Sequence, residues 1–281
     1  MKKILITGAN SYIGTSFERY IKENYSENYI IDVVDMIDGT WNQKSFTGYD
    51  SVFHVAGIAH QKETKQNAHL YYEVNRDLAI KTARKAREDG VKQFVFFSSM
   101  SVYGMDTGVI TKETVPNPKS YYGKSKWEAE QVIASLATDT FRVCILRPPM
   151  VYGKGCRGNF QSVVTLVKKF PFFPRIENMR SMIYIENLSS FMKYCADQCL
   201  AGIYFPQNRE YMSTMDLAQG ISEGLNKKIY FDYLTGFCVK ILRCAHPTVK
   251  KAFGTLVYDI QDDFDYCVVP KNDSVRESVA I

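Results

Sequence analysis

Through the first half of the chain, short apolar blocks alternate with longer stretches whose apolar residues recur at helical spacing. Lys2-Lys3-Ile4-Leu5-Ile6 reads as a short buried strand, and Thr15 to Ile21 as the start of a helix. Ile30 to Asp35 and Asp50 to Gly57 read as further strands. Leu70 to Asp89 carries a helical period and stops at Gly90. Val91 to Ser98 is the next strand, Tyr122 to Leu136 the next helix and Phe141 to Leu146 the strand after it. This alternation predicts parallel βαβ units, an α/β class with helices on both faces of one sheet. Thr107 to Ser120, with Pro116 and Pro118, reads as loop. Beyond Gly153 the elements shorten. Ser181 to Ile185 reads as a strand, Glu186 to Cys199 and Met215 to Leu225 as helices, and the stretch past Asn226 has no clear period.

Composition adds little to this picture. The 281 residues are 46% hydrophobic and 23% charged, enough for a sizeable core. The net charge of +5 reads as modest and spread along the chain, with no Lys/Arg run for nucleic acid and a mild bias suited to a small phosphorylated molecule. No apolar run approaches the ~20 residues of a membrane helix. Phe237 to Leu242 is apolar but broken by Lys240, near Arg243, Lys250 and Lys251. It could touch a membrane surface, but a core helix is the preferred reading. Seven scattered cysteines, with Cys195 and Cys199 nearest in spacing, fit buried thiols in a reducing compartment. The N-terminus enters a strand directly, so a cytoplasmic protein is expected. His54 sits within a strand, His60 and His69 in a polar loop, and His246 before a proline, so no metal is expected.

Two clusters carry candidate chemistry. Thr7-Gly8-Ala9-Asn10-Ser11-Tyr12-Ile13-Gly14 joins the first strand to the first helix. A glycine-rich turn there lets backbone N–H groups meet a pyrophosphate at the helix N-terminus. Gly8, Ser11, Tyr12, Ile13 and Gly14 are therefore candidate cofactor contacts. Asp35 follows Gly14 by about 20 residues, the spacing of a carboxylate that binds an adenosine ribose diol. It would repel a 2′-phosphate, which favours NAD over NADP; alternatively it only ends a strand beside a turn. Ala56 and Gly57 are small enough for a cofactor to approach closely. The second cluster is Ser99, at the end of its strand, with Tyr122 and Lys126 one helical turn apart. An ammonium beside a phenol lowers the phenol's pKa, so the pair could exchange a proton with a hydroxyl or ketone that Ser99 also holds.

Taken in order, these residues resemble the extended short-chain dehydrogenase/reductases of the NAD-dependent epimerase/dehydratase family. The likeness runs from Lys3 to about Leu188 and includes Asn75, Ser98-Ser99 to Tyr103-Gly104, Arg147-Pro148-Pro149-Met150-Val151-Tyr152-Gly153 and Arg180 to Leu188. It implies a Rossmann-like doubly wound sheet over 1–154, completed by 181–199, and a smaller substrate-binding lobe from 155–180 and 200–281. It implies Tyr122 as acid/base, Lys126 on the nicotinamide ribose, Ser99 on the reacting hydroxyl and Asn75 beside the nicotinamide. Arg180, and with less support Asn159, would hold the diphosphate of a nucleotide-sugar. Relatives dimerise through the helices that here begin near Leu70 and Tyr122, so a homodimer is possible. Ser11 departs from the family's middle glycine. Met100-Ser101 replace the Asp-Glu of the 4,6-dehydratases, and Ser181 replaces an Asp. A UDP-hexose 4-epimerase is the expected activity, with a 4-ketoreductase of surface-polysaccharide sugars as the alternative. A binding-only NAD(H) sensor would leave the grouping of Ser99, Tyr122 and Lys126 without a purpose.

Overall fold

The computed structural model describes residues 1–59, 61–259 and 271–279; His60 lies outside them. The chain opens with β1 (Lys2–Thr7), α1 (Tyr12–Asn24), β2 (Tyr29–Val34) and β3 (Ser51–His54). A helical arm follows: α2 (Ala68–Tyr71), a π-helical segment Tyr72–Leu78, and α3 (Ala79–Glu88). Then come β4 (Gln93–Phe97), a 3-10 turn Met100–Tyr103, β5 (Gly108–Ile110), α4 (Tyr121–Ser135) and β6 (Arg142–Leu146). Strands β1, β2, β3, β4 and β6 pair in parallel, and the six-stranded sheet runs β2-β1-β3-β4-β6-β10. Its last member, β10 (Gly202–Tyr204), lies past the boundary expected at 199.

Side chains of these strands alternate between two cores, as a pleated backbone buried on both faces requires. Ile4, Ile6, Phe53, Val95, Phe97 and Leu146 pack toward α1 and α6 (Ile185–Gln198). Leu5, Val52, Phe94, Phe96, Val143 and Ile145 pack toward Ala79, Ala83 and Ala86 of α3 and Ala129 and Ile133 of α4. The small alanines let α3 and α4 sit close to the sheet. Helices therefore cover both faces, and the sheet is doubly wound. Between β2 and β3 only a single turn, Thr40–Asn42, takes the place of a helix.

The rest forms short pieces at the carboxyl edge of the sheet. These are β7 (Met150–Tyr152), α5 (Asn159–Lys169), β8 (Phe172–Pro174), β9 (Met182–Tyr184), α7 (Thr214–Gly224), β11 (Tyr230–Asp232), α8 (Tyr233–Ala245), α9 (Pro247–Phe253), β12 (Leu256–Tyr258) and α10 (Lys271–Glu277). They make three two-stranded parallel sheets, β7 with β9, β8 with β11 and β5 with β12. The stretch read as loop from Thr107 thus contains a strand, β5, which β12 completes from far along the chain.

Candidate active site

Strands β1, β2 and β3 end level with one another: Thr7 lies beside Val34 and His54. The β1–β2 crossover, α1, lies on one face of the sheet and the β3–β4 crossover, α3, on the other, and a crevice opens at such a point beyond the strand ends. Gly8 enters it at φ +117°, and a Cβ there would lie 2.8 Å from the Ala56 nitrogen. Only glycine serves at this position. Ser11 is the N-cap of α1, and the Gly14 N–H donates to its Oγ at 3.2 Å. A Cβ on Gly14 would fall 2.6 Å from that oxygen, so the missing side chain makes room for the cap. The serine that replaces the usual glycine thus turns its hydroxyl back onto the helix. The first-turn amides of Tyr12 and Ile13 have no intrahelical acceptor and face the turn. Asp35 follows β2, and its Oδ1 accepts from the Ile37 N–H at 2.8 Å, which fixes the carboxylate at the sheet edge.

The second cluster lies at the ends of β4 and α4. Ser99 caps the Met100–Tyr103 turn: its Oγ accepts from the Ser101 N–H at 3.1 Å and donates to Ser101 Oγ at 3.2 Å. Its side chain also lies near enough to that of Tyr122 to lower the phenol's pKa. Burial pushes the Tyr122 phenol above its ordinary pKa, Ser99 lowers it, and Tyr71 adds a smaller upward push. Lys126, 4% exposed, donates to the Phe97 carbonyl at 2.8 Å and lies over the Phe96 ring. Burial brings its pKa down to about 7, against a smaller upward pull from Glu130. The expected lowering of the Tyr122 phenol by a lysine charge is therefore not what governs it. The same dry environment works against both ionised forms.

Gly57, Asn75 and Lys126 converge. A Cβ on Gly57 would lie 3.0 Å from Asn75 Oδ1 and 3.3 Å from Lys126 Nζ. Asn75, fully buried in the π-helical segment, brackets the loop after β3: its Oδ1 accepts from the Ile58 N–H at 2.7 Å and its Nδ2 donates to the Ile58 carbonyl at 3.0 Å. The sequence pattern thus brings Ser99, Tyr122, Lys126, Asn75 and Gly57 together. Arg180 and Asn159 make no hydrogen bond to these residues. Arg180 Nη1 donates to the Lys251 and Gly254 carbonyls at 2.7 and 3.0 Å; burial pushes its guanidinium below the ordinary pKa, against a smaller upward pull from the Asp106 charge. Asn159 is exposed at the first position of α5.

Two supporting residues carry no clear sequence signal. Glu63 accepts from the Tyr121 and Tyr122 N–H groups at 2.8 and 3.1 Å and so holds a carboxylate at the positive end of α4. Glu130 continues the Tyr122–Lys126 stripe by one more turn and pairs with buried Arg147, Nη2 to Oε2 at 2.6 Å. Arg147 Nη1 also donates to the Tyr103 hydroxyl at 2.8 Å, and the guanidinium lies between the Tyr103 and Trp127 rings. The four-apart spacing of Lys126 and Glu130 was the one available hint. The five described cysteines are free thiols, and no metal-binding group of His, Cys, Asp or Glu occurs among the described residues.

The model of the NAD dependent epimerase/dehydratase family matches residues 4–202. The chain belongs to this family. A UDP-glucose 4-epimerase of Vibrio cholerae is 30% identical over 92% of this chain and 88% of its own. An N-acetyl-alpha-D-glucosaminyl-diphospho-ditrans,octacis-undecaprenol 4-epimerase of Escherichia coli O157:H7 is 27% identical over 85% of this chain and 79% of its own. The fold is shared with a UDP-glucuronic acid 4-epimerase from Bacillus cereus solved with NAD, at a TM-score of 0.75 and 17% identity over 99% of this chain and 95% of that one. The family's cofactor fits the residues present. The Tyr12 and Ile13 amides of α1 offer donors to a pyrophosphate at one end, and Lys126 Nζ, close to Gly57 and Asn75, offers one to a ribose at the other.

Proposed function

We propose that this chain is an NAD-dependent 4-epimerase of a diphosphate-linked hexose, a UDP-hexose in the first instance. The gathering of the Ser99, Tyr122 and Lys126 side chains at the carboxyl edge of the sheet carries the reading. NAD would rest on Gly8, Ser11 to Gly14 and Asp35, with its far ribose at Tyr122 and Lys126. When bound, it supplies a reversible hydride acceptor. Tyr122 Oη takes the proton of the C4 hydroxyl, and Ser99 Oγ holds the same oxygen in place. Lys126, with a pKa near 7, changes charge at little cost and favours the phenolate when it is protonated. The 4-keto sugar turns over, and Tyr122 returns the proton to the oxygen on its new side. Met100 and Ser101 offer no acid for loss of a C6 hydroxyl, so elimination does not follow oxidation.

Arg180 supports the diphosphate, a group common to nucleotide-linked and polyprenyl-linked sugars. The reducing cytoplasm suits the free thiols. For a homodimer through α2, α3 and α4, the half-buried Leu70, Val74 and Val132 are apolar side chains that could face a partner. The test is interconversion of UDP-glucose and UDP-galactose while nicotinamide absorbance is followed. Sugar exchange without net NADH change supports the epimerase. Stoichiometric NADH or NADPH loss with a 4-keto sugar would replace it with the reductase.

A further inference from the structure

Helix α8 faces outward, although a core helix was expected. Its Gly236 meets the Arg175 backbone so closely that a Cβ would lie 2.5 Å from the Arg175 carbonyl oxygen, which fixes the inner face. On the other side Tyr233, Leu234, Phe237 and Ile241 are 58–72% exposed. Their spacing places them on one side of the helix. The β8–β11 pair extends this surface, with the Phe172 and Tyr230 rings 6.0 Å apart and both more than half exposed. A contiguous apolar surface of this kind on a folded chain marks an interaction site.

Charge selects the occupant. Segments 157–176 and 227–251 together hold ten Lys or Arg and one acidic residue, a net +9, while the remaining chain nets −4. The charge is therefore segregated, not spread. Lys168, Lys169 and Lys240 are exposed, and the Arg175 guanidinium covers the Tyr233 ring at 4.6 Å. A second copy placed on this face would meet the same positive field and be repelled. An apolar helix face rimmed by basic residues is instead complementary to an anionic bilayer, with rings and aliphatic chains below the headgroups and cations among the phosphates. We propose that α8 and the β8–β11 edge dock this protein on an anionic phospholipid surface. No described helix is long and apolar enough to cross a membrane, so the contact lies in the interface plane. The next helix, α9, leads to the Lys251 and Gly254 carbonyls that hold Arg180, the residue proposed above to support the diphosphate.

Flotation of the full chain with vesicles tests this, and independently of turnover, because the vesicles contain no substrate. The protein should float with phosphatidylglycerol/phosphatidylethanolamine vesicles, remain behind with phosphatidylcholine alone, and lose binding as salt rises. The double variant Phe237→Glu/Ile241→Glu should bind about tenfold less or weaker still. Ile203→Glu, at an exposed apolar position on β10, should float like the parent chain. Absence of flotation by the parent chain, or equal losses in both variants, would overturn the proposal. So would concentration-dependent dimerisation in analytical ultracentrifugation that Phe237→Glu removes, because a second copy would then cover this face.

Discussion

At the residue scale the Tyr122–Lys126–Glu130 stripe is a compromise between burial and charge. Tyr122, Lys126 and Glu130 fall at successive turns of one helix, and the same dry environment that raises the phenol lowers the ammonium. Lys126 titrates near 7 in the folded chain and near ~10.4 when unfolded. Below pH 7 both states keep the proton, and the fold bears the full cost of a buried ammonium. Between those values the folded chain releases the proton first, so stability rises with pH. Lys126→Met removes this dependence. The variant should gain stability over the parent chain at pH 6 and lose on the order of 2 kcal/mol of that advantage by pH 9. Urea unfolding at the two pH values measures it, and an unchanged difference would mean that Lys126 keeps its charge. Tyr122 and Lys126 were legible as a pair because one helical turn separates them, and Ser99 because it follows directly on an apolar strand block. Glu63 was not, because it reaches α4 from a polar segment with no periodic signature.

At the element scale, α1 shows how a departure from a family pattern can be absorbed. Ser11 gives up the bare backbone of a glycine but supplies an N-cap, and Gly14 accommodates its hydroxyl. Ser11→Ala should cost ~1 kcal/mol of stability through the lost cap, and Ser11→Gly only a few tenths. If the Ser11 Cβ crowds the pyrophosphate, the glycine variant should also bind NAD more tightly. Thermal melts with and without NAD separate the two effects, and equal losses for both variants would show that the cap carries no weight. The sheet strands were legible from their apolar blocks, since burial on both faces leaves few polar positions. The three-residue strands were not, because β5 with β12 and β8 with β11 are set by pairing between distant segments. Helix α8 was misplaced for a related reason. An apolar period shows that one face avoids water, but not whether protein or lipid takes the water's place.

At the scale of the whole molecule, the end of the chain closes the lobe that begins after β6. Val275 of α10, 1% exposed, lies where a Gly220 side chain would be, since a Cβ on that glycine would meet Val275 Cγ1 at 2.7 Å. Ser274 Oγ lies 2.6 Å from the Tyr152 hydroxyl, which also accepts from Asn208 Nδ2 at 3.0 Å. Glu277 accepts from the Tyr184 hydroxyl at 2.9 Å. Helix α10 thus ties α7 to β7 and β9, the small sheet that follows the Arg147-Pro148-Pro149 turn. If these contacts hold the lobe, a charge at Val275 should loosen it without touching the sheet. Val275→Asp should cost at least ~2 kcal/mol, because a buried carboxylate there has no partner. Ser274→Ala should cost nearer ~1 kcal/mol, the worth of one hydrogen bond. Hydrogen exchange should report the Val275→Asp loss in α7 and β7 first, with β1, β3 and β4 still protected. Uniform loss of protection across the central sheet would instead show that lobe and sheet unfold as one unit.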